Sequence, residues 1–275
     1  MFRIVSSIAL RIISNSYSNV FQKFLTNSGI HSSYVNFYNY FGLSVLSLLL
    51  IPFCKIQIST TLIINFILMG ILGSAGNYYI IKALSIGELS VLAPINSYKP
   101  VVAMLFAFIY LKEIPSIQSI IGIILIIFGT YILYSLKNNY NKIAVFYRIL
   151  ALIFSGSEAV IIKKLILMTD VKTSFVLWCF AGLIFSAIFA FCSKHKIKKP
   201  DLKYLIFLII SVSIMQYSTN YVFSKMNTAY ALAIFQLSTL LSVFLGSSLF
   251  KETDLKQKII ASAIMIIGAV IIILN

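Results

Sequence analysis

The stretch Lys112–Gly122, KEIPSIQSIIG, returns near the end of the chain as Lys251–Ala261, KETDLKQKIIA. Lys112-Glu113 falls on Lys251-Glu252, Gln118 on Gln257 and, further on, Gly129 on Gly268. Sliding the chain against itself by 139 to 143 residues carries the correspondence along its whole length. Lys23 meets Lys163, Gly42 meets Gly182, Asn77-Tyr78 meets Asn220-Tyr221, and Lys82 meets Lys225. In a sequence so rich in Ile and Leu, single aliphatic identities carry no weight; the ordered polar and glycine matches define the repeat. The chain therefore reads as two copies of one unit, residues 1–137 and 138–275.

What each copy contains follows from composition. Of 275 residues, 60% are hydrophobic and 11% charged, with a mean hydropathy of +0.99, which excludes a water-soluble domain. Apolar runs fall at about 4–25, 34–53, 62–82, 89–111, 116–136, 143–167, 173–192, 202–224, 229–250 and 256–274. A spanning helix needs about 20 apolar residues. The runs are continuously apolar rather than alternating, so helices are expected and not a barrel, because backbone groups in lipid must pair within their own segment. The fold class is an all-α integral membrane protein with ten transmembrane helices, five per copy. An odd number of spans makes the second copy enter the bilayer from the opposite face, so the repeats are inverted. That geometry belongs to alternating-access transport, with the substrate site where the halves meet.

Several function classes fall away. The excess of 22 Lys and Arg over 7 Asp and Glu, net +15, lies mainly at the ends of apolar runs, where it faces lipid head groups. The expected partners are the lipid bilayer and a small-molecule substrate, not nucleic acid; monomer and homodimer both stay open. Cys54, Cys179 and Cys192 show no CxxC or Cys/His spacing and read as packed thiols. Arg11 interrupts the first apolar run and no small-residue cleavage pattern follows, so that run reads as a span, not a signal peptide. Paired acids, a His cluster and a Ser-base pair are all missing, His31 and His195 fall in loops, and no Gly-rich phosphate loop occurs. No enzyme, cofactor or metal site is expected.

Polar residues inside spans mark the candidate site, since a polar group at mid-bilayer needs a partner or water. Arg11, Asn15, Ser18 and Gln22 recur at steps of four, three and four on one face of the first helix, with Asn19 beside them. In the eighth span Gln216, Asn220 and Ser224 step by four beside Tyr217 and Tyr221, and the repeat sets Asn77 and Tyr78 correspondingly in the third. Glu158 alone among the acids is deep in a span, following Ser155 and Gly156. It could hold a coupled proton, a cationic substrate group, or an ion pair with Arg11, Lys99 or Arg148. Lys99 lies between Pro94 and Pro100, whose missing backbone donors favour a kink or unwound turn that would free Asn96, Tyr98 and nearby carbonyls for a ligand. Trp178, the one tryptophan, sits mid-span. Candidate substrate-binding residues are thus Asn15, Asn19, Asn77, Tyr78, Tyr98, Glu158, Trp178, Gln216, Tyr217 and Asn220, with Arg11, Lys99 and Glu158 as the coupling or ion-pair set. The uncharged fifth and tenth spans are expected at the periphery.

The segments ALSIGELSVLAPI, AMLFAFIYLKE and GIILIIFGTYIL of the first half, with MNTAYALAIFQLSTLLSVFLGSSLFKE and IMIIGAVIIIL of the second, resemble the drug/metabolite transporter superfamily in its EamA-type branch. The resemblance covers nearly the whole chain, and it departs where Leu237 stands in place of Pro94. It implies secondary transport of a small organic solute, commonly an amino acid or other metabolite, through a central cavity lined by both halves, and suggests a bacterial cytoplasmic membrane. It also implies cytoplasmic termini, whereas the crowding of Lys194, Lys196, Lys198, Lys199 and Lys203 on the face opposite the N-terminus points to termini outside. The alternative within transport is an organic cation held by Glu158 and aromatic residues. Direction and coupling ion stay open.

Overall fold

Side-chain caps start most of the long helices, and they fall in the polar breaks of the sequence. In the computed structural model, which describes residues 2–99, 101–102, 105, 117–135, 140–193, 195–226 and 228–271, α1 spans Phe2–Asn27 and α2 Ser32–Ser47, the latter continued by a 3-10 helix, Leu48–Phe53. Helix α3 (Thr60–Ile86) begins where Ser59 Oγ accepts from Leu62 N at 3.2 Å. A short α4 (Leu89–Leu92) gives way to a 3-10 helix at Pro94–Tyr98, and α5 follows at Ile117–Ser135. In the second copy α6 (Lys142–Met168) is capped by Asn141 Oδ1, which accepts from Ile143 N at 3.0 Å and Ala144 N at 3.2 Å. Asp170 and Asp201 cap α7 (Val171–Phe191) and α8 (Leu202–Lys225) in the same way. The chain ends with α9 (Thr228–Phe235), α10 (Ser238–Phe250) and α11 (Leu255–Ile271).

Six stretches among the described residues are long and apolar enough to cross a membrane: Ser32–Phe53, Thr60–Ile86, Lys142–Met168, Val171–Phe191, Leu202–Lys225 and Ala231–Phe250. The sequence reading expects ten. Helix α1 falls short because Arg3, Arg11, Lys23 and its polar stripe dilute its apolar content, and in α5 the apolar stretch is only Ile120–Ile132. Much of the expected fourth span, with Pro100, Lys112 and Glu113, lies outside the described residues.

The strongest packing runs between the copies. Helix α3 lies along α6, α1 along α8, α2 along α7, and α5 along α11. Exchanging the copies turns the α3–α6 pair into the α8–α1 pair and maps the other two pairs onto themselves, so the contacts have pseudo-twofold order. The matched glycines explain the last pair. A Cβ on Gly129 would lie 2.9 Å from Ala261 O, and one on Gly268 would lie 2.6 Å from Gly122 O, so the α5 and α11 backbones touch. The other side of α5 exposes Ile120, Ile124, Ile127, Phe128 and Tyr131, as a peripheral helix in lipid should. The matched lysines do equivalent work as well. Lys23 Nζ donates to Gly87 O at 3.1 Å just past the end of α3, and Lys163 Nζ donates to Phe223 O and Met226 O at the end of α8.

Both copies break at the matched place. The first breaks at Pro94, as its proline predicts. The second is read from sequence as one helix over 229–250, yet it turns at Gln236–Leu237 without a proline. There Gln236 N and Leu237 N bond back three residues to Ala233 O and Ile234 O at 2.9 and 3.1 Å, and the Gln236 side chain donates to Leu232 O at 2.7 Å. Helix α1 holds the break. Ser16 Oγ donates to Ser238 O at 2.8 Å and Asn15 Nδ2 to Ser238 Oγ at 3.1 Å.

Candidate functional site

The four-three-four spacing on α1 turns Arg11, Asn15, Ser18 and Gln22 to one side, and together with Asn19 they form one wall of a cavity of about 110 Å³ between the copies. Facing them are Gly73 and Asn77 from α3, Arg148, Ser155 and Glu158 from α6, and Gln216 and Thr219 from α8. Asn96 and Lys99 enter from the broken segment after α4, Trp178 from α7 and Phe235 from α9. The first and third helices of both copies thus supply most of the polar wall.

Two amide relays stiffen that wall. Gln22 Nε2 donates to Asn77 Oδ1 at 3.0 Å, Asn77 Nδ2 to Asn36 Oδ1 at 2.7 Å, and Asn36 Nδ2 to Ser74 O at 3.0 Å. In the second copy Gln216 Nε2 donates to Asn220 Oδ1 at 2.9 Å and Asn220 Nδ2 to Ser174 Oγ at 3.1 Å. The repeat-matched Asn77 and Asn220 each tie the third helix of a copy to its second. Asn77 also reaches the cavity, whereas Asn220 is fully buried behind it.

Glu158 and Trp178 meet at the cavity wall. The indole Nε1 donates to Oε1 at 2.6 Å, and no cation among the described residues comes within ion-pairing distance of that carboxylate. Room for the carboxylate comes from Gly73, where a Cβ would sit 2.2 Å from Oε1. On the cationic side Arg11 lays its guanidinium over the Phe235 ring, 4.4 Å from the centroid. Its Nε and Nη1 are buried and have no hydrogen-bond partner among the described residues. Arg148 Nε donates to Leu92 O at 3.1 Å, and Lys99 lies within electrostatic reach of Arg11, Glu158 and Arg148.

The structure thus gathers Arg11, Asn15, Asn19, Asn77, Lys99, Glu158, Trp178 and Gln216 at one cavity. It places four other candidates away from the lining. Tyr78 stacks on Phe189 with centroids 5.7 Å apart, Tyr98 OH pairs with Thr130 Oγ1 at 2.7 Å, Tyr217 meets Phe175 edge-on, and Asn220 serves its relay. Conversely Tyr40, Gly73, Thr219 and Phe235 line the cavity without having been singled out from the sequence. Gly73 and Thr219 had a signal there, four residues before Asn77 and three after Gln216 and so on the same faces.

Where α1 ends, ion pairs join the copies. Lys23 Nζ meets Glu252 Oε1 at 2.7 Å, and the Glu252 oxygens accept from Leu89 N and Ser90 N, each at 2.8 Å. Lys258 Nζ meets Glu88 Oε2 at 2.9 Å and Ser90 Oγ at 2.7 Å. Burial pushes the Glu252 carboxyl up, but the Lys23 ammonium and the donors of Ser90 outweigh it and hold the group below the usual carboxylate range.

The sequence profile of the EamA-like transporter family matches residues 3–135 and again residues 142–274. The chain belongs to that family, within the drug/metabolite transporter superfamily, as a multi-pass membrane protein built of two inverted repeats. One solved crystal structure aligns over 97% of this chain and 96% of its own, with a TM-score of 0.68 at 12% identity, a likeness of fold alone. No curated protein matches the chain.

Proposed function

We propose that the protein is a secondary active carrier that moves a small polar organic metabolite, such as an amino acid, by alternating access. In this reading ten spans form two oppositely threaded five-helix units around the shared cavity. The observation that carries it is a polar cavity built in near-equal parts from both repeats, with a broken helix at the matched place in each. Irregular backbone at corresponding points of two repeats is the pattern of a midplane solute site. Asn15, Asn19, Asn77, Glu158, Trp178 and Gln216 would contact the solute. The Lys23–Glu252 and Lys258–Glu88 pairs would hold one face closed and part when the halves rock. The membrane proposed is the bacterial cytoplasmic membrane, on the strength of the family, and fractionation of the source cells checks that assignment.

Purified protein in liposomes preloaded with unlabelled solute should take up the same labelled solute by saturable counterflow. A panel of amino acids and other small metabolites giving no counterflow, or unitary currents in planar bilayers, would overturn the proposal.

A further inference from the structure

We propose that the solute carries a carboxylate and that Arg11 is the group that receives it. This rests on the carrier reading above and narrows its substrate class. The cavity wall presents the basic side chains Arg11 and Lys99 and, among the described residues, one acid, Glu158. Charges in a protein interior within a bilayer interact far more strongly than in water, so this wall favours an anionic group and repels an organic cation.

Arg11 is the receiver because its hydrogen-bonding capacity is unspent. The residue is 6% exposed, yet Nε and Nη1 have no partner among the described residues. Nε lies on the side edge of the guanidinium and Nη1 on its end, so each edge that can grip a carboxylate keeps an unused donor. Leaving a buried charged donor unmet is costly, so such donors are normally satisfied. A fixed role within the fold would meet these donors with a carbonyl or an acid; instead, Glu158 accepts from Trp178, and Glu252 and Glu88 are paired with Lys23 and Lys258. The Phe235 ring under the guanidinium fixes its plane, and Arg11 stands in the cavity lining. A planar fork of this kind matches a carboxylate two-pronged, which a lysine cannot do.

Size and charge narrow the class further. The cavity, about 110 Å³, is somewhat smaller than the roughly 150 Å³ engineered cavity that accepts benzene. It suits a short-chain acid whose apolar end packs on Leu232, one turn before Phe235. Glu158 in the same wall would oppose a doubly charged phosphate more than a singly charged carboxylate.

The test uses the full chain in detergent, with L-lactate, pyruvate and L-alanine as probes, their amides as counterparts that lack the carboxylate, and inorganic phosphate as the competing oxyanion. Thermal shift and calorimetry should show saturable stabilisation by at least one of the three acids and none by its amide. Arg11→Lys, which keeps charge but not the fork, should weaken that acid at least about tenfold, and Arg11→Gln should abolish its binding. The acid-against-amide comparison on the unaltered protein stands even where a variant fails to fold. Equal responses to acids and amides, binding of phosphate alone, binding of none of the three acids, or acid binding indifferent to both substitutions would each overturn the assignment. Counterflow of choline or a neutral sugar without acid binding would overturn it while leaving the carrier reading intact. Arg11-dependent acid binding without any counterflow would uphold it and sink the carrier reading instead.

Discussion

Trp178 Nε1 donates to Glu158 Oε1 at 2.6 Å, so the acid midway along α6 is held by a neutral donor. A carboxylate held in this way can exchange a proton without breaking a fixed ion pair. Glu158→Gln should therefore leave uptake at one rate across the physiological pH range, whereas uptake by the unaltered protein should vary with pH. Trp178→Phe, which strands the acceptor, should lower the melting temperature by an amount equivalent to about 1–3 kcal/mol. Initial uptake rates in liposomes against pH, with thermal melts in detergent, check both. Unchanged pH dependence in Glu158→Gln would remove the proton-carrying role.

Gly73 makes the space that Glu158 occupies. Its alanine variant would place a methyl 2.2 Å from Oε1 and 3.5 Å from Trp178 Nε1. Because the collision is with the far end of a flexible side chain, the variant should fold and reach the membrane. Its uptake should nevertheless fall by about tenfold or more, equivalent to at least about 1.4 kcal/mol at the site. Comparing membrane abundance with uptake rate separates the two effects.

The Lys23–Glu252 pair predicts a pH dependence of stability. The folded carboxyl titrates below its unfolded value, so its contribution is complete above the ordinary carboxylate range and is lost as pH falls through that range toward the folded value. Removing one partner of a buried pair costs about 3–5 kcal/mol. Glu252→Gln should melt lower at neutral pH and should lose part of the acid-induced decline that the parent shows. Melting curves of both proteins between neutral and acidic pH test this.

Asp170 caps α7 with Oδ1, accepting from Lys172 N at 2.7 Å and Thr173 N at 3.0 Å, while Thr173 Oγ1 donates to Oδ2 at 2.6 Å. Burial raises this carboxyl, but the Thr173 and Lys172 donors more than offset it, and the group titrates below its ordinary value. Asp170→Ala should cost about 0.5–2 kcal/mol. Asp170→Asn, which keeps an acceptor, should recover most of that loss and remove the dependence on acid. Thermal melts of the three proteins decide it.

The repeat was legible because polar and glycine residues punctuate an otherwise uniform Ile/Leu background, and those same residues mark the structure's pseudo-symmetric contacts: Lys23 with Lys163, Asn77 with Asn220, Gly129 with Gly268. The α1 wall was legible because helical spacing gathers its polar residues on one face. Tyr40 and Phe235 were not, since an aromatic residue facing a cavity and one facing lipid look alike in a chain with 22 Phe and 16 Tyr. Helix breaking was visible only where proline causes it. The turn at Gln236–Leu237 depends instead on contacts from α1, more than two hundred residues away in sequence, which no local pattern reveals.

The cross-paired helices also dictate how the protein can be made. When the ribosome has finished the first repeat, α1, α2, α3 and α5 are all without their chief neighbours, which are still to be translated. The nascent half must wait in the bilayer with its polar stripe unsheltered until α6, α7 and α8 arrive, and α5 waits for the final helix. Pairing therefore follows the order of synthesis of the second half: α3 gains its neighbour first, then α2, then α1, and α5 last.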